Sequence, residues 1–176
     1  EECLYIYAQT MFGKTQYGIV GCASVKDYLN NVIKKHELTR PDKEEDRMNH
    51  IRVTNFNAEP VFFAFPDHQE LEDIIRDEVK NEAEYDFKTS DGVGHHFWVI
   101  EDDQTNQTIE QLFAEKVPYT YVADGHHRTA AAALVGKEKR ENNLNQNGDE
   151  AYNFFIAVHF PDDKLQIMDY KRAIKY

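Results

Sequence analysis

The sequence predicts an α/β fold built on a mixed sheet with flanking helices. Strand-like runs alternate with amphipathic helical segments, which is typical of parallel strands joined by crossover helices. Other strand-like runs follow one another across short turns and therefore predict antiparallel hairpins. The run at residues 61–65 is apolar throughout, which is typical of a central strand buried on both faces.

The chain is short enough for one domain spanning residues 1–176. It begins with Glu1 rather than methionine, shortly before a strand-like run, so we expect it to be a piece of a longer protein.

Composition excludes several classes of function. A formal charge of −12 argues against a nucleic-acid partner, because lysine and arginine clusters hold phosphate backbones. There is neither an apolar run of about 18 residues nor a signal peptide, so we expect no membrane span and no export. Cys3 and Cys22 lack the spacing of a metal or redox site. We therefore expect a cytoplasmic protein with small-molecule partners, and the oligomeric state stays open.

The first elements are a hairpin and a helix. Residues 4–11 and 17–24 are strand-like runs separated by a glycine-containing turn at residues 12–14. Ser24 then predicts the start of a helix that runs to about Glu37. Its apolar side chains follow the helical spacing; they are Val25, Tyr28, Leu29, Val32 and Ile33.

A second helix is predicted from about Arg40 to Thr54, with Pro41 near its start. It has few apolar residues, but four side chains recur at three- and four-residue steps and form one basic stripe: Arg40, Lys43, Arg47 and His50. One interpretation is a solvated face with ion pairs to Glu44 and Asp46. The other is a basic wall that faces an anion site.

The remaining elements are routine. After the central strand, Pro66 and Asp67 predict a helix start, and a glycine-containing turn joins strands at residues 85–89 and 96–101. Thr108 and Gln111 resemble a capping box for a short helix. A polar loop at residues 141–150 precedes a last hairpin, with strands at residues 152–160 and 165–169.

The candidate site is the connection between the strand at residues 119–123 and the following alanine-rich helix. Asp124-Gly125 is the only turn chemistry between them, so His126, His127 and Arg128 should lie in the first helical turn. The N–H groups there have no partner within the helix and attract anions. Glycine at 125 also lets a ligand approach the backbone closely.

Two interpretations of this connection compete. It could be an ordinary strand-to-helix turn, capped by Asp124 and carrying surface histidines. Five consecutive residues that can bind, polarise or titrate at a helix N-terminus favour a functional site.

The segment Ala123-Asp-Gly-His-His-Arg128 resembles the signature of a bacterial and archaeal domain-of-unknown-function family in the ParB/sulfiredoxin superfamily. The resemblance extends to residues 31–40, 43–47 and 91–95. In that superfamily the equivalent turn binds nucleotide phosphates, and a free-serine kinase belongs to it. The resemblance implies a ParB/sulfiredoxin-like fold. His126 stands where sulfiredoxin has its catalytic cysteine, so peroxiredoxin repair is not implied.

The preferred function is nucleotide-dependent phosphoryl transfer, with ATP or ADP as donor and a small hydroxylated metabolite as acceptor. Phosphoryl transfer is mainly positioning and charge neutralisation. The N–H groups of residues 125–129 and the Arg128 side chain would hold phosphates, and Asp124 would bind Mg²⁺ or act as base. His126 or His127 would stabilise developing charge, and Glu37 is a second candidate carboxylate.

Gly125 and Thr129 are nucleotide-binding candidates through the N–H groups of this turn. The other segments that carry the resemblance add further candidates, which are Lys35, Arg40, Lys43, Arg47 and His95. Two other functions stay open. The same pocket could serve a non-catalytic nucleotide- or anion-binding regulatory module. Metal-dependent hydrolysis would use Asp124, His126, His127 and His95 as ligands, but side chains of adjacent helical residues diverge by about 100°.

Overall fold

The computed structural model describes residues 3–165, which form eight strands and five α-helices around one sheet. In chain order the elements are β1 (Leu4–Met11), β2 (Lys14–Ser24), α1 (Val25–Leu29), β3 (Ile33–Lys34), α2 (Pro41–Thr54), β4 (Val61–Phe65), α3 (Gln69–Glu78), β5 (Tyr85–Lys88), β6 (Gly94–Ile100), α4 (Asp103–Lys116), β7 (Thr120–Asp124), α5 (His126–Asn142) and β8 (Phe154–Pro161). Short 3₁₀ turns lie at Ala151–Asn153 and Asp162–Lys164.

The sheet is mixed, as the sequence predicts. Its strand order is β3-β7-β4-β8-β2-β1-β6-β5. The pairs β3 with β7 and β4 with β8 are parallel, and the other neighbouring strands are antiparallel. The β1–β2 and β5–β6 hairpins confirm the predicted turns, and β4 is an interior strand as expected.

The core is divided between two parts of the sheet. One cluster packs α1 and α5 on β4, β7 and β8, and it includes Phe63 and Val122, both fully buried. A second cluster packs α3 and α4 on β1 and β6 around Phe65 and Leu71. The alanines of α5 are buried, so this helix approaches its neighbours closely.

The helix predicted from Ser24 to about Glu37 is correct only for its first turn, because α1 spans Val25–Leu29. Ser24 does cap α1, and its side chain accepts from Lys26 N at 3.1 Å. The helix then ends, and Asn31 adopts a left-handed conformation with φ 58°. Ile33 is buried by pairing with Thr120 of β7 rather than by continuing a helical stripe. An apolar side chain at this spacing is compatible with a strand as well as with a helix. The pairing of β3 with β7 makes this segment a strand.

Other boundaries also differ from the prediction. Helix α4 begins earlier than the expected capping box, because the Asp102 carboxylate accepts from Thr105 N at 2.8 Å. The Thr108 hydroxyl instead donates to Gln104 O inside the helix. Helix α3 begins at Gln69 rather than at Pro66. Of the last predicted strand, at residues 165–169, only Leu165 lies within the described residues.

No helix among residues 3–165 has both the length and the apolar character needed to cross a membrane.

Gly136 provides a test of the close approach of α5. An added Cβ would lie 2.4 Å from the backbone oxygen of Tyr152 and 3.1 Å from the Val25 side chain. Gly→Ala inside a helix ordinarily stabilises it by about 1 kcal/mol. Here we expect Gly136→Ala to destabilise the protein by about 1–3 kcal/mol, because overpacking outweighs that gain. Thermal melting should show a midpoint lower by several degrees.

Lys137→Ala is the matched control, since its side chain is 57% exposed on the same helix. We expect it to melt near the wild type. A Gly136→Ala midpoint at or above the wild-type value would contradict the close packing of α5 against residue 152.

Candidate functional site

The candidate site lies where several strands meet at one end of the sheet. Strands β3 and β7 are parallel, and β4 runs antiparallel to β7 and parallel to β8. Strands β3 and β7 therefore end where β4 and β8 begin. Because α5 starts directly after β7, its first turn lies at this common end, where open α/β sheets bind ligands.

The turn into α5 depends on Gly125. This residue is the N-cap of α5 and has φ 90°, a conformation that favours glycine. An added Cβ would also lie 3.1 Å from Val61 Cγ1 and 3.3 Å from Arg128 Nη2. No side chain within residues 3–165 caps this helix. The first N–H groups of α5, at His126, His127 and Arg128, therefore have no partner within the helix, and N–H groups in this position can bind an anion.

Thr129 is not one of these free donors. Its N–H and its hydroxyl both donate to Gly125 O, at 2.8 and 2.9 Å, and its side chain is fully buried. The expectation that Thr129 binds phosphate is therefore corrected, because both of its donors are already used.

Asp124 does not cap the helix, contrary to the simplest interpretation of the sequence. Its carboxylate accepts from Arg128 Nη2 at 2.9 Å, and its side chain is 76% exposed. Arg128 also donates to Pro60 O at 2.7 Å and lies 3.3 Å from the Glu59 carboxylate. The guanidinium is thus held between two carboxylates, and an anion would have to replace one of them.

His126 is buried, with 7% of its surface exposed. Its Nδ1 lies 3.6 Å from the Glu37 carboxylate, and the His36 ring packs edge-on against it with centroids 4.5 Å apart. Burial, followed by the nearby His36, lowers the pKa of His126 and favours the neutral imidazole. Its buried Nε2 has no hydrogen-bond partner among residues 3–165.

The segment after β3 brings its polar side chains over the first turn of α5. His36 and Glu37 contact His126, and the Arg40 N–H donates to His127 Nε2 at 3.2 Å. Since this Nε2 accepts, the neutral His127 ring carries its proton on Nδ1 and can donate from there. The parallel pairing of β3 with β7 is what places residues 36–40 here.

A cavity of about 120 Å³ lies beside Arg128, between α2 and α5. Its polar wall contains Arg47, His50, Asn57, Glu59 and Arg128, and its apolar wall contains Ile51, Ala58, Val61, Ala132, Phe155 and Ile156. Two arginines therefore face one small space, which suits a compact anion such as phosphate.

The basic stripe of α2 reaches this cavity only in part. Arg47 and His50 line it, whereas Lys43 does not. The Arg40 side chain pairs with Asp42 at 2.7 Å, so only its backbone N–H serves the site. The Lys35 ammonium lies 4.1 Å from the centroid of the Tyr28 ring and faces that ring rather than the cavity.

His95 does not join the candidate site. It lies on β6, and strands β4, β8, β2 and β1 separate β6 from β7. Its Nδ1 is 2.7 Å from the Tyr7 hydroxyl, and its ring stacks on Phe87. The metal-site hypothesis that joins His95 with Asp124, His126 and His127 is therefore wrong.

Among the described residues, the group of acidic side chains that lie near enough to one another to hold a metal ion is elsewhere in the structure. It consists of Asp67, Glu72 and Asp163. The Lys164 ammonium lies 2.5 Å from the carboxylates of both Glu72 and Asp163 and neutralises part of their charge. Asp124 is not part of this group.

Three residues of the candidate site and its cavity were not predicted from the sequence. The sequence places His36 at a helix end, while Glu59 and Phe155 stand at the starts of strands. Glu59 precedes Pro60 and a buried strand, and this position at a strand start is the only local signal for it. These residues reach the site only because of the way the strand ends meet in the sheet, which the local sequence does not show.

The neutral state of His126 predicts a pH dependence of stability. Because its folded pKa lies below the unfolded value of about 6.5, the unfolded chain binds an extra proton when the pH falls below that value. The contribution of His126 to stability is complete above about pH 6.5 and is lost as the pH falls towards its folded pKa. We expect His126→Gln to show a weaker decline in unfolding free energy between about pH 7.5 and 5.5, measured by urea titration.

Equal pH dependence in the wild type and in His126→Gln would show that the folded protein does not hold His126 neutral. Carboxylate titration is common to both proteins and cancels in the comparison.

The chain belongs to the family described as "Protein of unknown function (DUF1015)", whose sequence model matches residues 1–176. No curated protein and no solved structure matches the sequence.

Proposed function

We propose that this member of the DUF1015 family transfers a phosphoryl group from ATP or ADP to a small hydroxylated metabolite. The observation that carries the proposal is an uncapped helix N-terminus beside a cavity with two arginines. The resemblance to the ParB/sulfiredoxin superfamily, whose members include a free-serine kinase, supports the same reaction and a fold of that kind.

The phosphate site would be the first turn of α5. A helix of 17 residues directs its unpaired N–H groups and the positive end of its dipole at this point. The orphaned Nε2 of His126 is a second polar group with no partner among the described residues. The N–H groups would be preorganised donors that stabilise charge in phosphoryl transfer, and His126 would add another donor in the tautomer that carries the proton on Nε2.

Arg128 and Arg47 would neutralise the charge of the transferred group. Arg47 is exposed and has no ion pair among residues 3–165, so it is free to bind an anion. Arg128 already holds Asp124 and Glu59. A phosphate bound by Arg128 would replace Asp124 as its partner and free that carboxylate for chemistry.

Asp124 is the proposed base. The acceptor oxygen bonds to phosphorus as the bond from phosphorus to the bridging oxygen of the nucleotide breaks. Asp124 takes the proton of the acceptor hydroxyl, and the shortened nucleotide leaves with the bonding electrons. The Nδ1–H of His127 would donate to the developing charge, and Glu37, 58% exposed, is a second carboxylate within reach of this turn.

Mg²⁺ fits this arrangement as a nucleotide-bound ion. It commonly uses one or two protein carboxylates together with phosphates and waters, and Asp124 offers one exposed carboxylate at the turn. When bound, the ion would neutralise charge on the phosphates.

The alternative is a regulatory module that binds a nucleotide or another anion without turnover. It is favoured by the ion pair between Asp124 and Arg128, which makes the carboxylate a structural partner instead of a base.

Ligand-dependent melting tests the anion site. We expect ATP or ADP with Mg²⁺, at about 100-fold above its dissociation constant, to stabilise the protein by about 2.7 kcal/mol. For a domain of this size that corresponds to a rise in the melting midpoint of about 5–10 °C. Inorganic phosphate should give a smaller rise, because it fills only the anion end of the site. The absence of any shift with nucleotides would refute the phosphate site.

Arg47→Ala should lose most of that rise without melting earlier in the absence of ligand, because Arg47 is exposed. Lys43→Ala is the matched control: it removes a cation from the same helix, outside the cavity, and should keep the full rise. Arg128→Ala is less suitable, since it also breaks the bond to Pro60 O.

Asp124→Asn separates the two functions. The side chain is exposed and nearly isosteric with asparagine, so we expect the variant to fold and to keep the nucleotide-induced rise in melting midpoint. Turnover should be abolished, measured as phosphoryl transfer to free serine and to other small hydroxylated metabolites. Unchanged turnover would exclude Asp124 as the base. Binding in a wild type that transfers to none of these acceptors would favour the regulatory module.

A further inference from the structure

The strand β5 forms one lateral edge of the sheet, far from the candidate site. Within residues 3–165 it pairs with β6 on one side only. All four of its residues are exposed, and its aromatic side chains are unusually accessible, with Tyr85 59% and Phe87 53% exposed. An exposed edge strand with aromatic side chains is a template for pairing with another chain.

The backbone groups that face outwards can be identified from the β5–β6 hairpin. Thr89 N–H donates to Val93 O at 2.9 Å, so these two residues form a hydrogen-bonded pair. Two residues further from the turn on each strand, Phe87 lies opposite His95. In an antiparallel ladder, hydrogen-bonded and non-hydrogen-bonded pairs alternate. The N–H and C=O groups of Phe87 therefore point to β6, while those of Asp86 and Lys88 point to the open edge.

We infer that β5 pairs with β5 of a second copy of this chain, antiparallel and centred on Phe87. In this register Asp86 of each copy lies opposite Lys88 of the other, and both residues use their outward backbone groups. The dimer would form four backbone hydrogen bonds in two hydrogen-bonded pairs. Two Asp–Lys pairs would lie on one face of the joined sheet.

Charge selects this register over its neighbours. Centring the pair on Asp86 would put two carboxylates directly opposite each other, and centring it on Lys88 would do the same with two ammonium groups. Like charges directly opposite each other on neighbouring strands are unfavourable, whereas opposite charges stabilise the pair. The segment Asp86-Phe87-Lys88 is thus complementary to itself.

The aromatic face supports the same register. Phe87 stacks on His95 with centroids 5.0 Å apart, and His95 in turn stacks on Tyr7. The two Phe87 side chains would meet at the dyad in a non-hydrogen-bonded pair, where side chains approach most closely. A row of aromatic rings would then continue from one copy into the other.

Charge reversal tests the dimer, with mass measured by sedimentation equilibrium over a wide range of protein concentration. The wild type should form dimers that dissociate on dilution. Asp86→Lys and Lys88→Asp should each weaken self-association about tenfold or more, because each replaces two attractive pairs by two repulsive ones. The double variant Asp86→Lys/Lys88→Asp should restore it.

A mixture of the two single variants provides a matched control in which each protein is the partner of the other. The Asp86→Lys variant carries a positive charge at both positions, and the Lys88→Asp variant carries a negative charge at both. Every pair across the dyad would then join opposite charges, so the mixture should dimerise more strongly than either variant does alone. Melting curves would verify folding. Lys88→Asp keeps the contact between Asp86 and His96, so it tests the inference even if Asp86→Lys unfolds.

Three results would overturn the inference. They are a wild type that is monomeric at every concentration, single reversals that associate as the wild type does, and oligomers larger than a dimer. The last result would indicate pairing between β5 and the opposite edge strand β3. Nucleotide binding is at the other side of the sheet and should be the same in all of these variants.

Discussion

The left-handed turn at Gly125 is the constraint on which the candidate site depends. It lets β7 pass into α5 with one intervening residue, so the strand end and the helix N-terminus occupy the same place. Because no described side chain caps the helix, its first N–H groups remain available to a ligand. A residue with a Cβ here would be strained and would press on Val61 and Arg128.

The charges around this turn are nearly balanced before any ligand binds. Arg128 is held by Asp124 and Glu59, and burial disfavours a charge on His126. Arg47 is the arginine of the cavity wall that has no ion pair among residues 3–165. An anionic ligand could therefore pair with Arg47 without displacing a carboxylate. In the proposed function, the nucleotide would bring Mg²⁺ to this turn as its own counter-ion.

The two ends of the strand order serve different purposes in this interpretation. β3 and β7 hold the chemical site at one side of the sheet, and β5 presents a self-complementary edge at the other. Self-association through β5 would leave the first turn of α5 accessible, because the intervening strands keep the two regions apart. A dimer of this kind would carry two independent sites.

Short-range signals in the sequence were sufficient for much of the fold and for the centre of the site. The β-branched run, Asp124-Gly125 and the alanines act over a few residues, so the strand, the turn and the helix with His126, His127 and Arg128 could be predicted from them. The hairpin turns and the helix start at Pro41 could also be predicted from signals within a few residues. Ile33 could not be assigned, because its spacing fits a helix and a strand equally well, and pairing with Thr120 decided the matter. The same pairing brought His36 and Glu37 to His126, while the strand order kept His95 away. Strand order is a property of contacts between residues far apart in the chain, and no local pattern encodes which strand ends will meet.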